Sequence, residues 1–335
     1  MEVRLSILDQ SPIAQGSDAH TALAQTAKIA ELAERLGYTR FWVSEHHDAS
    51  SLAGSTPEVL LAHLGARTST IRLGSGGVML PHYSAYKVAE NFRMLEALYP
   101  ERIDIGLGRA PGGMPISTRA LQEGRTREPS YSQQVDDLRA YLTDALPEGH
   151  RFAGLRATPR IKTAPEMWLL GSSDVSARTA AAKGTAFMFA HFINGEGGVE
   201  AVQAYRAEFK PSAALLTPRA GVAIFTVCAD TDAEAERIAA SLDLALVLLA
   251  SGKRADATPA VKDALAYPYT MYEQALLREN RKRMIVGSQA TVKQQFHQLA
   301  ADYGVDEVMA VTTTAEFEHR VRSFELLAAA LIEQI

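Results

Sequence analysis

Short apolar runs of strand character alternate with amphipathic stretches of helical period from one end of the chain to the other. The spacing predicts strands at Leu5–Leu8, Arg40–Ser44, Ile71–Leu80, Arg102–Leu107, Met167–Leu170, Ala186–Phe189, Val222–Val227 and Glu307–Val311. Between them it predicts helices over Ala19–Leu36, Pro57–Thr68, Ala85–Leu98, Tyr131–Leu146, Val175–Lys183, Gly198–Phe209, Asp232–Leu249 and Thr291–Asp302, with a last one over Ala315–Ile335. Asp18 is placed to cap the first helix, Gly37 to stop it, and Pro57 to open the second after Thr56.

Eight strand–helix units in series predict a parallel sheet closed on itself, an α/β fold of the single (β/α)8 TIM barrel type. A bare barrel needs about 250 residues, and the chain has 335, so the excess is assigned to insertions. The least regular stretches are Ala110–Ser130, Gly149–Pro165 and Ser251–Val286. The last lies between the seventh and eighth predicted strands and is rich in helix formers, so 251–286 is read as a lid over the barrel mouth. With no Pro/Gly/Ser-rich linker, residues 1–335 form one expected domain.

Composition narrows the function classes. Hydrophobic residues make up 47% and charged residues 22%, a globular balance. The net charge of −5 argues against a nucleic-acid footprint. Cys228 is the sole cysteine, which removes internal disulfides and thiolate-rich metal sites. The start, MEVRLSILD, has no signal-peptide pattern, and no run approaches the roughly 18 apolar residues of a membrane span. A cytoplasmic protein with neither a membrane nor a nucleic-acid partner is expected.

In a parallel barrel the strand C-termini converge on one mouth, so chemistry is sought there. That brings together Glu45–His46–His47, Gly74–Pro81, Gly106–Gly113 and Gly171–Asp174. A histidine facing the pocket can move protons near neutral pH; the alternative is a hydrogen-bonded pair that holds a loop. Alternation along an extended chain sends His46 to one face and Glu45 and His47 to the other. In IRLGSGGVMLP, Gly74, Gly76 and Gly77 replace bulky barrel fillers, which suits either a flat ligand lying against backbone or a β-bulge. In IDIGLGRAPGG, Gly106 and Gly108 begin a dinucleotide fingerprint that Pro111 interrupts, so that motif is rejected. Arg109 follows them with a guanidinium fork suited to phosphate or carboxylate. Gly171, Ser172 and Ser173 lead into a helix whose N-terminus can bind phosphate, although Ser173 or Asp174 can equally serve as a simple cap. Phe187, Phe189 and His191 alternate along the sixth strand, as an aromatic wall of the pocket or as core.

Taken in order, LSILDQSPI, FWVSEHH, IRLGSGGVMLPH, LEALYPERIDIGLGRAPGG, WLLGSS and FMFAHF resemble the bacterial luciferase-like flavin-dependent monooxygenases, closest to the luciferase alpha-subunit-like branch. The resemblance runs from about residue 3 to 210. It implies a (β/α)8 barrel that binds FMN at its mouth, with reduced FMN supplied by a separate NAD(P)H:flavin reductase. It further implies a C4a-peroxyflavin that oxygenates a small organic substrate with O2. By motif, His46 aligns with the family's pocket histidine and His47 supports it. Gly74, Gly76 and Gly77 lie on the strand against the flavin ring, with relatives carrying a non-prolyl cis peptide at Gly76–Gly77. Arg109 with Ser172 and Ser173 matches the phosphate grip. Gly108 stands where luciferases carry cysteine and Gly171 where they carry glutamate, so light emission is not carried over. Within the same fold, an F420-dependent oxidoreductase and a non-catalytic flavin-binding protein are the alternatives. A metal-dependent hydrolase built on Glu45, His46, His47 and His191 is the third reading, and no metal is expected. The helices at Pro57–Thr68 and Ala85–Leu98 are apolar enough to pair two copies, so a homodimer is expected.

Overall fold

The computed structural model describes residues 3–125, 130–253 and 255–332. The described residues form nine parallel strands: β1 (Arg4–Asp9), β2 (Arg40–Val43), β3 (Arg72–Met79), β4 (Ile103–Gly108), β5 (Glu166–Gly171), β6 (Ala186–Ala190), β7 (Ala220–Ala229), β8 (Met284–Ser288) and β9 (Glu307–Val311). Each of β1 to β6 pairs with the next. β7 then pairs with β6 and β9, and β9 with β1, which closes an eight-stranded barrel as expected.

β8 stands outside that ring. The strand β7 is ten residues long, and only its first part belongs to the barrel: Phe187–Ala190 of β6 register with Ala220–Ala223. Its C-terminal part, Phe225–Ala229, pairs with Met284–Ser288 and leaves the closure after Phe225, which still registers with Val311 of β9. The sequence reading placed 284–286 inside the 251–286 insertion and missed this strand. The insertion otherwise forms the helices Val261–Ala266 and Met271–Arg281, packed beside Asp232–Ala250. The last predicted helix is Phe317–Leu331, and residues 333–335 of that expectation lie outside the described residues, as do 126–129 of Ala110–Ser130.

Strand alternation sorts the side chains into two layers. Leu8, Trp42, Trp168, Met188, Ala223 and Met309 fill the barrel interior, while Ile7, Phe41, Leu73, Ile105, Phe187 and Phe189 pack outward against helices. Trp42 and Trp168 meet edge to face at 5.5 Å and take up much of the barrel's width. Small residues opposite make that possible: a Cβ on Gly74 would lie 2.5 Å from Trp42 Nε1.

Below the tryptophans the barrel is plugged by buried charge. Arg40 donates to Asp104 at 2.7 Å and to Glu307 at 2.6 Å, and its guanidinium lies 4.8 Å over the Trp168 ring. Burial opposes a charge on Arg40, but Asp104, Glu307 and Glu166 outweigh it and hold the guanidinium more firmly protonated than in water. Such a cluster specifies one packing of the barrel floor, because any other arrangement strands a charge.

Candidate active site

Above Trp42 the interior opens into a cavity of about 450 Å³ at the C-terminal ends of the strands. Its apolar wall comes from Leu8, Trp42, Leu170, Met188, Ala223 and Met309, all from barrel strands. The backbone of Gly76 and Gly77 forms one side, and Gly108, Arg109, Gly171, Ser172, Ser173 and Ser176 close the rim. Phe192 and Ile193 complete it from the segment after β6.

The bulge reading of the glycine strand agrees with the structure, and the backbone there lies open to the cavity. The β3–β4 register shifts by one residue between Gly76 and Val78, as at a bulge, and the Gly76–Gly77 peptide is cis. Both glycines are also required by packing: a Cβ on Gly76 would lie 2.6 Å from Leu8 Cδ1, and one on Gly77 2.8 Å from the Gly106 carbonyl. Bare backbone therefore faces the cavity. Gly74, one pleat deeper, is not among the lining residues and serves Trp42 instead.

Arg109 is exposed at the rim, and among the described residues no carboxylate pairs with it. Ser173 caps the helix Asp174–Lys183 through a capping box with Ser176, and Asp174 is drawn away to Arg178 at 2.8 Å. Capping spends the Ser173 hydroxyl but leaves the first-turn N–H groups and Ser172 facing the same rim as Arg109. A cationic fork and a helix N-terminus at one end of an otherwise apolar slot fit a flat ligand with an anionic tail.

The histidines lie elsewhere. β2 ends at Val43, so strand alternation no longer applies at residues 44–47, and neither His46 nor His47 is among the cavity-lining residues. His47 Nε2 is 2.7 Å from Glu45 Oε1, and the fully buried Glu45 also accepts from Tyr83 at 2.8 Å and from the Met79 N–H at 3.0 Å. The His47 N–H donates to the Gly112 carbonyl, which ties this cluster to the segment carrying Arg109. His46 Nδ1 contacts Ser44 Oγ at 3.1 Å, while its N–H donates to the Gly54 carbonyl. Burial, followed by the neighbouring His47, pushes His46 down to about 4.

Of the two readings of the sixth strand's aromatics, core holds and the pocket wall does not. Phe187 and Phe189 point outward against Tyr205 and Tyr303, and Met188 and Ala190 face the cavity. His191 is held by Tyr303 at 2.7 Å and by the Lys282 carbonyl at 3.1 Å. None of the described residues of 251–286 lines the cavity, but Arg283 donates to the carbonyls of Phe192 and Ile193, so the insertion's end braces the wall from behind. Sequence reasoning missed the methionines Met79, Met188 and Met309; their inward alternation was the available signal. Among the described residues no cluster of three or more His, Cys, Asp or Glu is arranged to hold a metal.

The family model for luciferase-like monooxygenases matches residues 1–307. The chain belongs to that family. It is 40% identical over 336 residues to N-acetyl-S-alkylcysteine monooxygenase of Bacillus subtilis (strain 168), covering 98% of each chain. It is 53% identical to the uncharacterised protein YwcH of the same organism, covering 99% of this chain and 100% of that one. The crystal structure of apo-MsnO8 superposes with a TM-score of 0.90 at 38% identity, covering 98% of each chain. More distant structures share the fold: an FMN complex of the oxygenating constituent of 3,6-diketocamphane monooxygenase from Pseudomonas putida (TM-score 0.71, 18% identity, 98% of each chain) and an F420-dependent secondary alcohol dehydrogenase (0.71, 12%, covering 99% of this chain and 100% of that one). A monooxygenase of the luciferase-like type is thus the general activity.

Proposed function

We propose that this monooxygenase binds reduced FMN, received from a separate NAD(P)H:flavin reductase in the cytoplasm, and uses O2 to oxygenate a small organic substrate. The observation that carries the reading is the joint placement of Arg109 and Ser172–Ser173 at one rim of an apolar cavity floored by Gly76–Gly77. Bound reduced flavin would supply the oxygen-activating chemistry. The chain's own part is to grip the phosphate, align the ring against bare backbone, and keep water out with Leu8, Leu170, Met188 and Met309.

His46 is neutral at pH 7. In the tautomer protonated at Nδ1, which donates to Ser44, Nε2 keeps a lone pair and is the proposed proton acceptor, acting from beside the cavity rather than from its lining, with His47 fixing the loop from its anchor on Glu45. The relative that acts on N-acetyl-S-alkylcysteines makes small thioethers the first substrates to try. Val59, Met94 and Leu98, exposed on the helices Pro57–Gly65 and Ala85–Leu98, are the proposed contact of a homodimer.

The test is a thermal-shift comparison of FMN, FAD, riboflavin and F420, since a ligand that binds the native state raises its melting temperature. FMN should give the largest shift. A shift with F420 alone would transfer the site to the deazaflavin reading. FMN binding with no substrate-dependent oxygen uptake across a thioether panel would favour the non-catalytic flavoprotein.

A further inference from the structure

Among the methionines lining the cavity, Met79 is distinctive. Met188 and Met309 are almost fully buried in the barrel wall, at 3% and 0% exposure, whereas Met79 ends β3 half-buried at the rim. Its thioether packs on glycines of the segment that carries Arg109. A Cβ on Gly108 would lie 2.8 Å from the Met79 sulfur, and one on Gly112 2.9 Å from its Cγ. A soft, oxidisable sulfur thus sits between the glycine floor and the anion grip.

We propose that Met79 is a site of self-oxidation that limits turnover without substrate. The inference rests on the FMN reading above. When no organic substrate is present, reduced FMN and O2 give oxidised FMN and hydrogen peroxide, two electrons passing from flavin to oxygen. The peroxide then transfers one oxygen atom to the Met79 sulfur: its O–O bond breaks, a sulfur–oxygen bond forms, the sulfur is oxidised by two electrons, and the other oxygen leaves as water. The sulfoxide is polar and chiral where the thioether was apolar. Gly108 and Gly112 pack closely on one side of the sulfur, so an oxygen added on that side displaces the Arg109 segment, and a polar oxygen on the other side enters the apolar slot; either weakens the flavin grip. Sulfoxide reductases can reverse the change.

Exposure supplies the internal control. Met271 is 87% exposed and Met94 53%, and neither lines the cavity. Peroxide from bulk solution attacks by accessibility, whereas peroxide formed in the cavity attacks by proximity. The experiment loads the protein with reduced FMN under argon, confirms binding by equilibrium dialysis, then admits air in the presence of catalase and no substrate. Peptide mass spectrometry quantifies oxygen addition at each methionine, and a parallel sample receives bulk hydrogen peroxide without flavin.

The expected result is several-fold more sulfoxide at Met79 than at Met271 in the flavin arm, with the order reversed in the bulk arm. The FMN dissociation constant should rise several-fold after the flavin arm, while a Met79→Leu protein keeps its own starting value through the same treatment. Met79 oxidised no more than Met271 in the flavin arm would overturn the proposal, as would an unchanged FMN affinity after Met79 is oxidised. Absence of FMN binding at the dialysis step would bring down the FMN reading itself, a failure distinct from bound FMN with Met79 intact.

Discussion

Acidification from pH 7 to 4 should cost this fold about 3 kcal/mol at one side chain. His46 has its ring buried against Ser44 and beside His47, which depresses it to about 4, while in the unfolded chain it titrates near its ordinary value of about 6.5. The unfolded state therefore takes up the proton first as pH falls. The stability tied to neutral His46 is complete above pH about 6.5, is lost progressively towards pH 4, and changes no further below. Each pH unit in that window is worth about 1.4 kcal/mol, which gives the total above and is a large share of the roughly 5–15 kcal/mol that holds a typical domain together. The assay is urea unfolding at half-unit steps from pH 7.5 to 4, on the parent and on His46→Gln. Other titrating groups are common to both proteins, so only the difference between the two profiles counts. The parent should lose about 3 kcal/mol more than the variant across the window. Parallel profiles would refute the assignment of a buried, neutral imidazole, and with it the proposed role of His46 as a base at pH 7.

Three further outcomes follow from packing and charge. Gly77→Ala places a methyl group 2.8 Å from the Gly106 carbonyl, and backbone cannot yield as a flexible side chain does, so a loss of about 1–3 kcal/mol is expected in chemical denaturation. Arg40→Met leaves buried Asp104 to Arg72 and buried Glu307 to Arg4, at 3.7 Å, so a loss at the lower end of the roughly 3–5 kcal/mol for breaking a buried pair is expected, with a lower melting temperature. Cys228 is buried, and that burial, with a smaller push from Asp230, raises its thiol to about 12; it should stay inert to a thiol reagent in the native protein and react on unfolding.

The barrel itself was legible because burial on both faces of each strand writes continuous apolar runs between helical periods, as at Val222–Val227. β8 was not, because Met284–Ser288 is short, contains Gly287 and pairs only with the free end of β7, so no burial on a second flank marks it. At the site, Gly76, Gly77, Gly108, Arg109, Gly171, Ser172 and Ser173 all come to one cavity, as their positions at strand ends foretold. Gly74 did not, since its glycine requirement comes from Trp42, a partner distant in sequence. The histidine pair matches the reading of hydrogen-bonded histidines that hold a loop, and lies off the cavity lining for a local reason: beyond Val43 the chain leaves the strand, and hydrogen bonds to Glu45 and to the Gly54 and Gly112 carbonyls decide where the rings go. The aromatics stayed open between wall and core because alternation gives two faces without saying which is inner; the charge plug at Arg40 and the Trp42–Trp168 pair settle it as core, and neither is visible in a local window.

The most direct measurement is the pair of dissociation constants for FMN and riboflavin, which differ only by the phosphate, on the parent and on Arg109→Ala. A charge-assisted hydrogen bond to phosphate is worth about 1.5–3 kcal/mol, or on the order of a 10- to 100-fold preference for FMN. The parent should show that preference, and Arg109→Ala should lose most of it while binding riboflavin as before. Equal affinity for the two ligands in the parent, or an undiminished FMN preference in Arg109→Ala, would contradict a cavity built to grip a flavin by its phosphate.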